Sequence, residues 1–290
     1  MTDAASMPTP SPTKTSRRIP VRAMGFGFRD ASIPRWWFFG NPYPTHVSNA
    51  LNLLFPDGER FFIRSVKHYM DVIERDPELL ARVRGFFGQE GRHGHEHERY
   101  NKLLEEQGYD VERFLAFYRY WAYEVLEKST PPVLRLAATA ALEHYTATMA
   151  ENALVSDMLD HAHPMLRDLL RWHAAEEIEH KSVAFDVLQR VDPRWGVRAG
   201  GMAIASVGIL AFWILGAREL LRQEAARGTD MAMHAKAAEA NPILERERTK
   251  RGQMFRKAIA DYLRPDFHPD QKNDYELARS YLEQIGRLEG

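Results

Sequence analysis

Two stretches of this chain carry the same spacing in opposite order. Residues 89–101 read QEGRHGHEHERYN and place Glu90, His93 and His97 at i, i+3 and i+7. Residues 172–188 read WHAAEEIEHKSVAFDVL and place His173, Glu177 and His180 at i, i+4 and i+7. On a helix, residues three and four apart stack on one face, so each triple aligns donor atoms in a way that a solvated charged face does not need. Both contain Glu-x-x-His, as Glu90 to His93 and Glu177 to His180. The extra histidine follows the first pair and precedes the second. That mirror order suits two antiparallel helices passing one centre, and it demands a helical fold.

The rest of the chain agrees with that demand. A short helix is expected over residues 48–55 and another from Pro56, with Phe62, Val66, Tyr69 and Ile73 as its apolar stripe. Asp76 and Pro77 open a helix that runs to Gln107, where Gly108 stops it. Further helices are expected over 111–128, from Thr130 and Pro131 to His161, and from Pro164 to Arg190. No alternating strand pattern of useful length is present, so the class is all-α. Three parts are expected: residues 1–47, a disordered arm (1–20) followed by an irregular aromatic-rich segment; residues 48–193, a helical bundle; and residues 194–290, an apolar helix with a polar, partly helical tail.

Residues 199–217 contain no charge and are long enough to cross a bilayer. Two readings stay open for them, a helix buried against the bundle or another copy of the chain, and a helix that inserts in a membrane. Arginines flank both ends, so no orientation follows.

Composition narrows the chemistry. The formal net charge is −1, which gives no general attraction to nucleic acid, and no nucleic-acid partner is expected. The absence of cysteine excludes disulfides, thiolate metal sites and cysteine nucleophiles. It fits a cytoplasmic location, at the inner face of the membrane if 199–217 associates there. Any metal has to be held by His, Asp and Glu, a donor set that suits iron, manganese or zinc.

Two Glu-x-x-His pairs are half of a known arrangement. A carboxylate-bridged dimetal site in a four-helix bundle takes a lone Glu from each of two helices and a Glu-x-x-His from each of the other two. The preceding helices offer Glu59, in FPDGERFF, and Glu143, in TAALEHYTATMAE. Small and apolar residues surround Glu143, where an unpaired carboxylate is costly. Glu59 lies 31 residues before Glu90 and Glu143 lies 34 before Glu177, each enough for a helix, a turn and a return. The longer gap between the halves fits the long crossover of a ferritin-like bundle. Two ions about 3.5–4 Å apart would each take one His, one terminal Glu and shared bridging Glu. His97 and His173 are expected to hydrogen-bond the ligands or to act as extra ligands. Glu96, Glu98, Glu176 and Glu179 fall off the ligand face and are expected to be solvated or to support the ligands, and His144 and His268 are expected elsewhere.

The stretches LLFPDGERFF, QEGRHGHEHERYN, ALEHYTA, WHAAEEIEHKSVAFDV and RPDFHP together resemble the bacterial predicted metal-dependent hydrolase family, across most of residues 35–275. The resemblance implies a ferritin-like bundle and metal binding by Glu59, Glu90, His93, Glu143, Glu177 and His180. The donor set by itself points first to a di-iron centre oxidising a small apolar molecule with O2. The alternative, which the resemblance suggests, is a hydrolase using a metal-activated water. Iron storage or a structural metal site is the third reading. Phe62, Phe86, Phe87, Tyr100, Tyr118 and Tyr145 are candidates for lining a pocket or for ordinary core. A homo-oligomer is compatible with all of this.

Overall fold

The computed structural model describes residues 19–28 and 32–289. It is helical, with no strand among those residues. The expected arm over residues 1–18 lies outside the described residues. Ile19 and Pro20, expected within it, are instead packed onto the fold, with Ile19 almost fully buried. The aromatic segment that follows covers the core with Phe26, Phe28, Trp37 and Phe38, all buried.

Helix α1 spans Pro42–Lys67 and is capped by Asn41, whose side chain accepts from the Tyr43 N–H. It starts six residues before the expected helix and runs unbroken through Pro56. A proline inside a helix costs about 3 kcal/mol. Leu53, Leu54, Phe62 and Val66 bury on both sides of it and hold the helix together. After a short α2 (Met70–Ile73), α3 spans Pro77–Glu106. Its boundaries follow the sequence signals: Asp76 accepts from the N–H groups of Glu78 and Leu79, and Gly108 lies in the left-handed region at φ 87°.

Helix α4 (Val111–Arg119) widens into a π-helix over Tyr120–Glu127. Helix α5 spans Pro132–Val155, followed by a short 3-10 turn over Met158–His161. The single helix expected from Pro164 to Arg190 is two, α6 (Pro164–His180) and α7 (Val183–Val191). The chain opens between them where Lys181 turns to the Lys272 carbonyl and Asp274, and Ser182 accepts from Arg82. Helices α8 (Trp195–Ala226), α9 (Met231–Glu239), α10 (Pro242–Tyr262) and α11 (Tyr275–Gln284) complete the chain.

Helices α1, α3, α6 and α5 pack around one axis, α1 on α3, α3 on α6, α6 on α5 and α5 on α1. Helix α8 lies across α1 and α5. Along α1, α3 and α5 the buried apolar residues pass from one cluster to another partway. On α3, for example, Val83 and Phe86 belong to one apolar cluster and Tyr100 and Leu104 to another, with Glu90, His93 and His97 between. A polar layer therefore divides the core in two.

Helix α8 is long and apolar enough to cross a membrane by length and composition. One face, with Met202, Ala205, Phe212 and Leu220, is buried against the bundle. The opposite face exposes Ile204, Val207, Leu210, Ile214 and Leu215. A helix on a water-facing surface ordinarily has a polar outer face, and this one does not.

Candidate metal centre

The four central helices bring all six expected ligands into the polar layer. Glu59 comes from α1, Glu90 and His93 from α3, Glu143 from α5, and Glu177 and His180 from α6. Each side chain is buried. Donor atoms of Glu90, Glu143, Glu177 and His180 lie within 4.8 Å of one another, and so do those of Glu59, Glu90 and His93. Glu90 belongs to both groups. His180 Nε2 is 3.1 Å from Glu90 Oε1 and 3.4 Å from both Glu143 Oε2 and Glu177 Oε2.

Most of these atoms have no hydrogen-bond partner. Both carboxylate oxygens of Glu59, Glu90 and Glu143 lack one, as do Glu177 Oε2, His93 Nδ1 and His180 Nε2. Buried polar atoms are ordinarily paired, and each orphan costs about 1–3 kcal/mol. Here the orphans cluster and aim at common points, the arrangement a cation satisfies. The residues present therefore fit a metal centre.

Electrostatics agree. Burial, then the charges of Glu90 and Glu177, push the Glu59 carboxyl well above its ordinary range. Burial, then Glu177, does the same to Glu143. Burial raises Glu90 to about 7, against the opposing pull of His180 Nε2, 3.1 Å away. Burial would also raise Glu177, but the nearby His180 charge and the hydrogen bond with His173 outweigh it and hold this carboxylate low. Four carboxylates gathered in a dry site repel one another, and positive charge relieves that repulsion.

The two histidines are aimed from behind. His93 Nε2 donates to Glu176 Oε2 at 2.9 Å, which leaves Nδ1 facing the centre. His180 Nδ1 donates to Gln89 Oε1 at 2.8 Å, which leaves Nε2 facing it. Such partners fix the tautomer and orientation of a metal-binding imidazole. Glu176 is held in turn by Arg22 at 2.9 Å, and Arg22 also pairs with Glu179. Glu176 is fully buried, so it falls on the supporting side of the two expected roles, solvated or supporting. Gln89, Arg22 and Asn52 had carried no expectation. Arg22 has no local signal, since its partners are more than 150 residues away.

His97 and His173 form a chain of hydrogen bonds beside the centre. His97 Nδ1 meets Asn52 Oδ1 at 2.5 Å, His97 Nε2 meets His173 Nδ1 at 2.7 Å, and His173 Nε2 meets Glu177 Oε1 at 2.7 Å. Asn52 already donates its amide to Asn101, so its oxygen accepts from His97 Nδ1–H. Burial, then the neighbouring His173, keeps His97 neutral, so its Nε2 accepts from His173 Nδ1–H. One proton is then shared between His173 Nε2 and Glu177. The His97–His173 contact also shows α3 and α6 running antiparallel, as the mirrored motifs require.

Gly94, between His93 and His95, has a specific role. A Cβ there would sit 2.9 Å from Glu59 Oε2. The missing side chain is what lets the Glu59 carboxylate enter the centre.

The remaining candidates lie outside. His144 binds the Ala258 carbonyl at 2.9 Å and packs on Phe267. His268 pairs with Asp186. Glu96 is buried against Arg99, and Glu98 pairs with Arg60 at the surface.

Two apolar cavities reach the centre. The smaller, about 170 Å³, is bordered by His173 and Glu177. The larger, about 600 Å³, runs between α1, the π-helix, α5 and α8 and is bordered by Glu59. Leu51, Phe55 and Thr146 line both. Phe55 packs on the rings of His97 and His173, each at 4.7 Å. Of the candidate pocket aromatics, Phe62 and Tyr118 line the larger cavity. Phe86 packs edge-on against His180, while Tyr145 hydrogen-bonds Ser206.

The family model described as "Predicted metal-dependent hydrolase" matches residues 20–273. The chain belongs to this family. All six expected ligands and their supporting residues, from Arg22 on, fall inside the matched region of this family member. No curated protein and no solved structure matches the chain.

Proposed function

We propose that Glu59, Glu90, His93, Glu143, Glu177 and His180 would hold two metal ions, and that the protein is a metal-dependent hydrolase of a small apolar substrate. The observation that carries this reading is the set of buried, unpartnered donor atoms converging from four helices. Bound metal supplies a water of lowered pKa and a Lewis acid for the scissile group. The chain's own residues do the rest. Glu176 and Gln89 orient His93 and His180, the His173–Glu177 pair holds a proton beside the centre, and Phe55 shields it from bulk water.

A second reading is an O2-dependent oxidation by an iron-loaded centre. It is favoured by the donor set itself, four carboxylates and two histidines on four helices, which is the ferritin-like oxidative pattern. Metal exchange separates the two. Zinc-loaded protein turning over esters or amides without oxygen supports hydrolysis. Activity confined to iron-loaded protein with O2 and a reductant supports oxidation. The shared premise is tested by elemental analysis: Glu143→Ala should lose metal and Glu98→Ala should keep it.

The reading includes a membrane-surface association through the outer face of α8. Val207→Lys combined with Ile214→Lys should then move the protein from the membrane to the supernatant after centrifugation, and unchanged partitioning would remove that part.

A further inference from the structure

The larger cavity is lined mostly by apolar residues and opens to the surface beside Leu126, Ile204 and Val207. Its α8 side runs from Ala203 to Phe212 and is made of small and aliphatic residues, among them Ala205, Gly208 and Ala211. Leu54, Phe62 and Leu142 face them. Nine residues of helix rise about 13 Å, the length of an extended alkyl chain of about ten carbons. Several polar groups border this volume, and most are occupied within the protein: Glu127 pairs with Arg64, the Tyr118 and Tyr123 hydroxyls bond each other, and Thr146 donates to the Glu143 carbonyl. Glu59 belongs to the centre, and Arg135 and Thr130 are in the wall with Leu126. Arg135 donates to the Thr130 carbonyl at 2.9 Å and has no carboxylate partner among the described residues. On α5, Arg135 lies eight residues, or about 12 Å, from Glu143 in the centre.

We propose that this cavity holds one long aliphatic chain with a polar or anionic head at Arg135 and its hydrolysable group beside Glu59, so that the substrate class of the centre is a straight-chain amphiphile, not a compact or ring-shaped molecule. This rests on the reading of the centre given above. The walls bury methylenes, each worth about 0.8 kcal/mol, and the hydroxyls of Tyr118, Tyr123 and Thr146 in them are already engaged within the protein. Chain length is therefore the property the cavity measures.

Gly208 offers a way to shorten it. A Cβ at this position meets nothing within 4 Å, so a side chain added there grows into open space without displacing a neighbour. Replacing a helical glycine also favours the helix. Gly252, on α10, has equally open surroundings and is outside the cavity lining.

The test uses the full-length, metal-loaded protein and the fluorescent fatty acid cis-parinaric acid, displaced by hexanoic, dodecanoic and adamantane carboxylic acids. Metal content and melting temperature are measured on the same samples. The expected result is stoichiometric probe binding, displacement at least tenfold better by dodecanoic than by hexanoic acid, and weak displacement by the compact adamantane acid. Gly208→Phe and the smaller plug Gly208→Leu should weaken dodecanoic acid at least tenfold while keeping wild-type metal content and melting temperature. Gly252→Leu should behave as wild type. Equal displacement by the compact acid, or unchanged dodecanoic acid binding in both Gly208 variants, would overturn the proposal. Chain binding by protein that takes up no metal would remove the reading of the centre and leave the chain-binding cavity standing. Metal uptake without chain binding would do the reverse.

Discussion

Two buried glutamates show how differently this fold treats a carboxylate. Glu224 on α8 and Glu143 on α5 are both fully buried. Glu224 is surrounded by donors. His46 Nε2 lies 3.3 Å away, Thr229 donates at 2.8 Å, the Tyr109 hydroxyl donates as well, and Arg35 is 3.4 Å off. Burial would raise its pKa, but these hydrogen bonds outweigh it and hold the group below the ordinary carboxylate range. Glu143 has no hydrogen-bond partner on either oxygen, and burial pushes it the other way. The first carboxylate is complete within the protein and ties α8 to α1. The second belongs to a set that only a cation completes. Burial alone marks neither as functional; what separates them is whether their oxygens are satisfied.

The largest expected effect follows from removing metal. If the centre is completed by ions, each one contributes about 4 kcal/mol when free metal is a thousandfold above its Kd. Chelation should lower the melting temperature accordingly, and a melt unchanged by chelator would erase the distinction from Glu224. The loss should also grow with pH. Above about 7.5, His93 and His97 are almost entirely neutral in both the folded and unfolded chain. What still titrates is the raised carboxyls Glu59, Glu143 and Glu90, the last at about 7, and the raised His180. Each keeps in the folded, metal-free protein a share of the proton that the unfolded chain has released. The folded state then binds more protons, so metal-free stability falls as pH rises. Metal competes for the same sites and binds more tightly as those protons leave. The gap between loaded and stripped protein should therefore widen from about pH 7.5 to about pH 8.5, as read by melts across that range.

The second effect belongs to the other cluster. Glu224→Ala leaves the buried donors His46, Tyr109 and Thr229 without their acceptor, each orphan costing about 1–3 kcal/mol. Metal content should stay at the wild-type level. A variant that loses metal without losing stability would mean the two clusters had been assigned the wrong way round.

The gathering of the six candidate side chains was legible in the sequence because Glu90–His93 and Glu177–His180 lie at fixed helical offsets, and because four helices of the right length could be counted, which pointed to the lone Glu59 and Glu143. Helix α3 was legible at both ends for a similar reason, since Asp76, Pro77 and Gly108 act within one turn. The supporting residues were hidden. Arg22 lies in a segment with no periodicity, and its partners Glu176 and Glu179 are a whole fold away. Gln89 and Asn52 look like ordinary helical amides until the imidazoles they face are in place. Gly94 could have been noticed between two histidines, but its reason, room for the Glu59 carboxylate, depends on a helix packed against it. The unbroken α1 was missed because Pro56 reads locally as a start, and only burial on both sides of it overrides that.

The smallest effect is the sharpest test of the comparison, because its sign is unusual. Glu143→Gln keeps the shape of the side chain and removes its ability to ionise. In metal-free protein, burial and the charge of Glu177 favour the protonated form of Glu143, so folding near pH 8 has to take up a proton, a cost the amide does not carry. The amide still needs hydrogen bonds, and His180 Nε2, 3.4 Å from Glu143 Oε2, is the nearest group that can supply one. The expected outcome is stabilisation of the stripped protein by about 1 kcal/mol, the scale of one relieved buried polar group, measured by denaturant melts near pH 8. The same change at Glu224 should destabilise, since there it weakens hydrogen bonds that already exist. With metal present the order reverses for Glu143→Gln, because an amide is a poorer ligand than a carboxylate, and the loaded variant should melt below loaded wild type. If Glu143→Gln destabilises the stripped protein as much as Glu224→Gln does, the two carboxylates are alike and the orphaned oxygens around Glu143 say nothing about a cation.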